Sequence, residues 1–304
     1  METLKKISLL GSFLFLTLFS YGQEASIEFT GPAISPSGNY LLFAANPKNQ
    51  FDLYSLNLKT NHVEQLTFHD ANDWYGEWIT DDFIYFQSTR DHKRCLYTLD
   101  LKTKEVTLLV DDNVNQLLHY NGKNGDIYYI TFDTKLAPDN NYYPKMETSE
   151  IIKYHLKTKV KTPLTSNDYT DDAPHVSPDG KELVFQSGKN GNIDIFKMKT
   201  DGTKVIQLTT YNSFDGIPVW SPNGKKIAYS KRMNNTNYEI WVMDADGSNK
   251  KNLTNTEAME LYASWTPDGK HIAFSSWRDG SQQIYIMDAD TGANQMCLTC
   301  ELKL

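Results

Sequence analysis

The chain has 304 residues, with 38 acidic and 30 basic side chains and a formal net charge of −8 at pH 7. A polyanion such as nucleic acid needs clustered lysine and arginine to neutralise its phosphates, and no long basic run occurs after residue 22. We therefore expect no nucleic-acid partner.

The N-terminal segment predicts export. Two lysines precede an apolar run at residues 7–19, and small residues follow at Ser20 and Gly22. This order is typical of a secretory signal peptide cleaved before Gln23, and the run is short for a bilayer span; the alternative is a buried N-terminal helix. We predict a signal peptide at 1–22 and a periplasmic or secreted protein, with a charge of −9 after losing two lysines and one glutamate. No cysteine stands at the cleavage point, so we expect no stable membrane anchor.

Three cysteines are too few to form a disulfide framework, so the fold has to rest on its apolar core. Cys297 and Cys300 have the spacing of a redox pair, but they flank a segment where other repeats carry a strand. Residues three apart on a strand point to opposite faces, and this favours two ordinary strand cysteines over a redox pair.

A sequence motif recurs with a period of about 44 residues. Residues 174–180 read PHVSPDG, and the steps from Ser177 to Ser221 and on to Thr266 are 44 and 45 residues. A fixed period of this length indicates stacked structural units. The six copies begin at residues 32 (PAISPSG), 77 (EWITDD), 119 (HYNG), 174 (PHVSPDG), 218 (PVWSPNG) and 263 (ASWTPDG), of which the second and third are degenerate.

Each copy carries signals for four strands. A Pro-Asp-Gly turn separates a short strand from an apolar one, because Pro fixes one turn dihedral and Gly accepts the positive φ that the reversal needs. A polar loop, a second apolar strand and a third strand ending in Leu-Thr follow, as in residues 284–288 and Leu298-Thr299.

Such units predict a ring. A four-stranded sheet with apolar residues on both faces cannot bury them alone, whereas a ring buries each sheet between two neighbours. We predict an all-β protein, a six-bladed β-propeller of four-stranded antiparallel blades, occupying residues 23–304 without a second domain. The rival is a linear solenoid, which needs polar capping repeats. The first copy begins with its innermost strand and the last ends with its outermost, so packing of blade 1 on blade 6 has to close the ring.

The repeats resemble those of TolB-type propellers. The residues that carry the resemblance are Ser177-Pro178-Asp179-Gly180, Trp220-Ser221-Pro222-Asn223-Gly224, residues 240–247 (IWVMDADG) and Leu253-Thr254, and it covers roughly residues 27–302. TolB-type proteins carry an α/β domain before the propeller, whereas here we expect the propeller to follow the signal peptide directly. The repeat also resembles prolyl-oligopeptidase propellers, but no Gly-x-Ser-x-Gly motif occurs here.

A propeller places two sets of loops around one mouth of its central tunnel. One set joins an outermost strand to the next innermost strand, and here it is acidic and aromatic; the other joins the second strand to the third and includes an insertion at about 133–148. Aromatic rings beside carboxylates suit a peptide or a glycan. The alternative is that these acids satisfy turn amides and that the aromatic rings wedge between blades. The candidate binding residues are Asp70, Asp73, Trp74, Tyr75, Glu77, His119, Asp171, Asp172, His175, Asp215 and Tyr262.

The innermost strands offer a second possibility. Alignment of the copies gives equivalent axial positions to Ala33, Glu77, His119, His175, Val219 and Ser264. Glu77, His119 and His175 therefore lie on adjacent blades and could hold a divalent metal, which resembles the tunnel metal site of oligogalacturonate-lyase-type propellers.

We predict that the protein binds a protein segment or a glycan at this mouth, without a cofactor and without catalysis. The alternative is a metal-assisted lyase or hydrolase that acts on an acidic polysaccharide through Glu77, His119 and His175. A third possibility is a subunit of a larger assembly that takes no small ligand.

Overall fold

The structure is a computed structural model. It describes residues 27–91, 93–112, 114–121, 125–132, 148–210 and 212–304, and for 114–121 and 132 it describes the backbone alone. The predicted signal peptide and nearly all of the insertion lie outside these ranges. No helix within them is long and apolar enough to cross a bilayer.

The described chain folds into six sheets of four antiparallel strands, which confirms the predicted six-bladed β-propeller. Strands follow chain order within each blade, from the innermost to the outermost. Blade 1 consists of β1 (Phe29–Ile34), β2 (Tyr40–Ala45), β3 (Asp52–Asn57) and β4 (Val63–Gln65); blade 2 of β5 (Asp73–Thr80), β6 (Phe83–Ser88), β7 (Cys95–Asp100) and β8 (Val106–Val110). Blade 3 consists of β9 (Val114–Asn121), β10 (Asp126–Phe132), β11 (Ser149–His155) and β12 (Val160–Pro163); blade 4 of β13 (Asp171–Val176), β14 (Glu182–Ser187), β15 (Asp194–Lys199) and β16 (Ile206–Gln207). Blade 5 consists of β17 (Asp215–Trp220), β18 (Lys226–Arg232), β19 (Tyr238–Asp244) and β20 (Lys251–Asn252); blade 6 of β21 (Glu260–Trp265), β22 (His271–Ser276), β23 (Gln283–Asp288) and β24 (Met296–Cys297).

The Ser-Pro-Asp-Gly motif forms the turn between the first and second strands of a blade. In blade 4, Ser177 Oγ accepts a hydrogen bond from the Glu182 N–H at 3.0 Å and donates one to Asp179 Oδ1 at 2.7 Å. Gly180 takes a φ of 77°, which a side chain would strain. The motif is therefore structural.

The Leu-Thr motif attaches the outer strand to the third strand. In blade 4, Thr209 Oγ1 accepts a hydrogen bond from the Ile195 N–H at 2.9 Å and donates one to Asp194 at 3.2 Å. The same bond from a third-strand N–H occurs in blade 5 with Thr254 and in blade 6 with Thr299. One threonine thus satisfies a buried backbone donor that the short outer strand leaves unpaired.

The core consists of six apolar clusters, each between two neighbouring blades of the described chain. Alternation along β2 shows how one strand serves two clusters: Leu42 and Ala44 pack toward blade 2, while Leu41 and Phe43 pack toward blade 6. Each blade therefore depends on both neighbours for its burial.

Within the described chain, packing between blades 1 and 6 closes the ring, and these two blades share no strand. The Phe29 N–H donates to the Gln282 carbonyl at 3.1 Å, and the Ile34 N–H donates to Ser264 Oγ at 3.2 Å. The cluster between blades 6 and 1 includes Phe29 and Ile284, so it ties the beginning of the ring to its end.

The C-terminal cysteines differ from the sequence expectation. Cys297 and Cys300 form a disulfide, with Cα atoms 5.8 Å apart, so the prediction of two ordinary strand cysteines is wrong. The reason is that β24 ends at Cys297, and the turn that follows brings Cys300 back beside it. Cys95 is buried, and burial raises the pKa of its thiol to about 11.

We expect the disulfide to stabilise the last blade modestly. Closing so short a loop is worth about 1–2 kcal/mol, which corresponds to a few degrees in Tm. A reductant should lower the Tm of the wild-type protein to that of a Cys297→Ser/Cys300→Ser variant, and it should leave the variant unchanged. Thermal denaturation with and without dithiothreitol measures this effect. An unchanged wild-type Tm in the presence of the reductant would contradict the prediction.

Candidate functional site

The innermost strands carry a bulge near their beginning, and this bulge shapes the tunnel. In five blades the register with the second strand shifts around one residue of positive φ. These residues are Gly31 (64°), Tyr75 (47°), Ala173 (50°), Ile217 (54°) and Tyr262 (60°). Four of the five are not glycine, so their backbone is held in a left-handed conformation that costs about 1–2 kcal/mol for each residue.

The bulges line a small central cavity of about 70 Å³ that opens at the mouth. Five blades contribute the described lining, which is mainly apolar and contains no lysine or arginine. It consists of Gly31, Pro32, Tyr75, Gly76, Glu77, Ala173, Pro174, His175, Ile217, Pro218, Val219, Tyr262 and Ala263.

The strand register supports the alignment of the axial positions. Glu77 pairs with Tyr85, His119 with Tyr128, and each partner is the third residue of its second strand. Ala33, His175, Val219 and Ser264 hold the same register position in their blades.

Tyr75 and Tyr262 meet at the tunnel mouth. They belong to blades 2 and 6, and their ring centroids lie 6.3 Å apart at an angle of 54°. Blade 1 lies between them and carries Gly31, where a Cβ would be 3.8 Å from Tyr75 Cδ1. The two hydroxyl groups are hydrogen-bonded, and burial raises the pKa of both phenols.

Two acidic side chains near these rings have perturbed pKa values. Burial raises the pKa of Glu77, which lines the tunnel and is only partly reached by solvent, to about 8. Burial, assisted by the charge of Asp171, raises the pKa of Asp172 to about 7 against the hydrogen bond from the Ala173 N–H. The charge of Asp172 also raises the pKa of Tyr75 and Tyr262, so these groups form one local site.

Three other candidate acids, Asp73, Asp171 and Asp215, are buried at the beginning of their innermost strands, where they make structural contacts. Asp171 accepts a hydrogen bond from Asn167 Nδ2 at 2.7 Å, and the other two carry ion pairs. The pairs are Asp73 with Arg90 (3.0 Å), Asp215 with Lys231 (3.0 Å) and, in the same place in blade 6, Glu260 with Arg278 (2.8 Å). In these three blades a basic residue at the end of the second strand, or two residues after it, is the sequence signal for the pair. Asp73, Asp171 and Asp215 are almost fully buried and present no surface to a ligand.

The remaining candidates lie at the rim. Asp70 is exposed, and Trp74 is half-buried with the Arg94 guanidinium 5.5 Å from its ring centroid. Sequence reasoning missed Phe68, which is 76% exposed on the same loop as Asp70. For His119, only the backbone position is described.

The two described members of the proposed metal set do not fit a ligand pair. His175 Nδ1 accepts a hydrogen bond from the Trp220 N–H at 3.2 Å, which assigns the hydrogen of the neutral ring to Nε2. A metal-binding imidazole offers one nitrogen lone pair to the metal and donates a hydrogen bond from the other, so His175 would first have to release this amide. Within the described ranges no three His, Cys, Asp or Glu side chains are placed to hold one metal ion.

Replacing Glu77 tests the electrostatics of the tunnel. A raised carboxyl pKa means that the fold favours the protonated group, so its contribution to stability is complete below about pH 4.5 and is lost as the pH rises through about 8. Glu77→Gln should therefore be more stable than wild type at pH 8–9, by on the order of 1 kcal/mol because tunnel water screens the charge, and nearly equal at pH 5.

Thermal denaturation across this pH range measures the difference. Glu257→Gln, which removes an exposed carboxylate at the same mouth, is the control and should show no pH-dependent gain. An equal effect of the two variants at every pH would contradict the burial of the Glu77 charge.

Comparison with known proteins identifies the repeat. The profile of the TolB beta propeller domain, PD40, matches residues 142–238 and 216–301, which together span more than half of the chain. Among curated proteins, the chain is 31% identical over 80 residues to the uncharacterized protein Atu1656 of Agrobacterium fabrum and 35% identical over 81 residues to the uncharacterized peptidase YuxL of Bacillus subtilis. Each match covers 26% of this chain, and the matches span only 27% and 12% of those relatives.

Solved structures share the architecture. A TolB candidate from Agrobacterium tumefaciens has a TM-score of 0.67 at 20% identity, with 85% of this chain and 89% of that one covered. TolB from Acinetobacter baumannii has a TM-score of 0.67 at 19% identity, and the match covers 88% of this chain and 61% of that one. An oligogalacturonate lyase in complex with manganese has a TM-score of 0.64 at 17% identity, and the match covers 87% of this chain and 74% of that one. At these identities the likeness shows the fold alone. The profile match confirms the resemblance seen in the repeats, and the chain belongs to the TolB β-propeller (PD40) family.

Proposed function

We propose that the protein is an exported propeller that binds an extended segment of a partner protein at the tunnel mouth formed by Tyr75, Tyr262, Glu77 and Asp172. It acts by holding this segment and performs no chemistry on it.

The observation that carries the proposal is the conformation of Tyr75 and Tyr262. Both have positive φ at a bulge where Gly31, in the same place in blade 1, meets the backbone requirement without strain. The fold thus carries two aromatic side chains at an energetic cost of about 1–2 kcal/mol each. Strain of this kind concentrates at ligand sites, and both rings line the cavity.

The shape of the mouth favours a peptide over a glycan. A sugar ring stacks on a broad aromatic face. The two tyrosine rings are instead inclined to each other at 54° and hydrogen-bonded through their hydroxyl groups, so they do not form one flat platform. A small open cavity with proline and aliphatic walls suits a single side chain of a bound segment. Phe68 and Trp74 at the rim offer further apolar contact to its flanks.

Two features support export. The first is the order of charge, apolar run and small residues at 1–22. The second is the disulfide between Cys297 and Cys300, because disulfides persist in oxidising compartments.

Substituting the strained tyrosines separates stability from binding. Tyr75→Gly and Tyr262→Gly each relieve a positive φ, so we expect the free energy of unfolding to fall by less than the usual aromatic deletion, or to rise. Binding should drop at least tenfold. The full chain is expressed and purified, and peptides that bind it are selected from a displayed random-peptide library while a glycan array is screened in parallel. The affinities of the variants for the selected ligands are then measured by titration.

Lys181→Ala is the control, because Lys181 is exposed on the turn face of the propeller. The proposal is supported by peptides that bind the wild type and Lys181→Ala with equal affinity and bind both tyrosine variants at least tenfold more weakly. Ligands that are exclusively glycans, or peptides that bind the tyrosine variants undiminished, would overturn it.

A further inference from the structure

The described part of the tunnel holds one acidic side chain, Glu77, without a cation beside it. Three other buried acids do have one: Asp73 pairs with Arg90, Asp215 with Lys231 and Glu260 with Arg278. Glu77 makes no hydrogen bond or ion pair with the described residues, and no lysine or arginine lies in the described tunnel lining. Because a desolvated carboxylate is costly, Glu77 is protonated in the free protein at neutral pH, and a positive group that entered the site would favour its ionised form.

Asp172 adds to this deficit of positive charge. It is 5% exposed, and the hydrogen bond described for its carboxylate comes from the adjacent Ala173 N–H. His175 does not supply the missing cation, because its Nδ1 accepts a hydrogen bond and the ring is therefore neutral. Arg94 lies over Trp74, outside the described tunnel lining, and its charge lowers the pKa of Tyr75, opposite to the effect of Asp172.

The rest of the lining fits an alkyl chain that ends in a charge. Pro32, Pro174, Pro218 and Ile217 provide apolar walls, and the faces of Tyr75 and Tyr262 attract a cation through their quadrupoles. An ammonium is a compact charge on an unbranched four-carbon stem, whereas a guanidinium is a broader planar group that needs a wider pocket. The net charge of −8 further favours the approach of a cation.

We propose that the tunnel is a pocket for a protonated primary amine on an unbranched alkyl chain, and that the lysine side chain of a bound peptide supplies it, with Glu77 as the counter-ion and Tyr75 and Tyr262 as its aromatic wall. This inference rests on the proposed function and names the side chain that the mouth selects.

The probe is the blocked pentapeptide Ac-Gly-Gly-Lys-Gly-Gly-amide, titrated into the purified protein and followed by ligand-detected NMR. We expect a Kd near or below about 1 mM, as suits a single anchored side chain. The same peptide with norleucine in place of lysine keeps most of the alkyl chain and removes the charge, so it should bind at least tenfold more weakly.

Glu77→Gln keeps the shape of the side chain and removes its charge, and it should weaken the lysine peptide at least tenfold. Because this variant is expected to be at least as stable as wild type, unfolding cannot mimic the loss, and its Tm confirms this. Glu257→Gln makes the same charge change on the exposed rim and should leave binding within twofold. Equal binding of the norleucine peptide, an unaffected Glu77→Gln variant, or no binding of the lysine peptide at about 10 mM would each overturn the inference.

Competition with 1,5-diaminopentane identifies the source of the amine. A lysine peptide that binds more tightly than the diamine supports a peptide-borne amine. A diamine that displaces the peptide at equal or lower concentration shows amine chemistry but overturns the assignment to a peptide. If library selection yields peptides that contain no lysine but need Tyr75 and Tyr262 for binding, the proposed function stands and this inference fails.

Discussion

The structure depends on the burial of both faces of each blade by its neighbours. The alternation along β2, with Leu42 and Ala44 facing blade 2 and Leu41 and Phe43 facing blade 6, allows no blade to bury its apolar area alone. Because blades 1 and 6 share no strand in the described chain, the contact of Phe29 and its neighbours with blade 6 closes the ring. Closure of this ring brings the innermost strands to a common axis and so creates the tunnel.

The tunnel obtains its chemistry from a backbone irregularity. In five of the described blades a bulge in the innermost strand sets one residue at positive φ beside the axis, and the identity of that residue decides which side chain lines the tunnel. Gly31 leaves space, Ile217 gives an apolar wall, and Tyr75 and Tyr262 give two joined rings. The same bulge thus carries glycine, alanine, isoleucine or tyrosine in different blades, and a ring of similar repeats can hold an asymmetric site.

Buried charge divides the acidic residues of the mouth into two groups. Asp73 and Asp215 begin their strands and are neutralised by basic residues of the same blade, so they serve the fold. Glu77 and Asp172 have no such partner among the described residues, and burial raises their pKa values to about 8 and about 7. For Glu77 the difference arises from its position along the strand, since the end of the second strand pairs with the first residue, Asp73, and not with the axial one.

The sequence by itself determined the number of blades, their strand order, the turns and the axial alignment, because the period of about 44 residues and the Ser-Pro-Asp-Gly and Leu-Thr motifs are local signals. It also indicated the mouth and Tyr75, Glu77, Asp172, His175 and Tyr262 as residues near it. Only the tertiary structure decided which acids are paired, that two tyrosines from different blades meet, that His175 bonds to the Trp220 amide, and that Cys297 and Cys300 are joined. These depend on contacts between blades or on where a strand ends, and such distances are fixed only when the ring has closed.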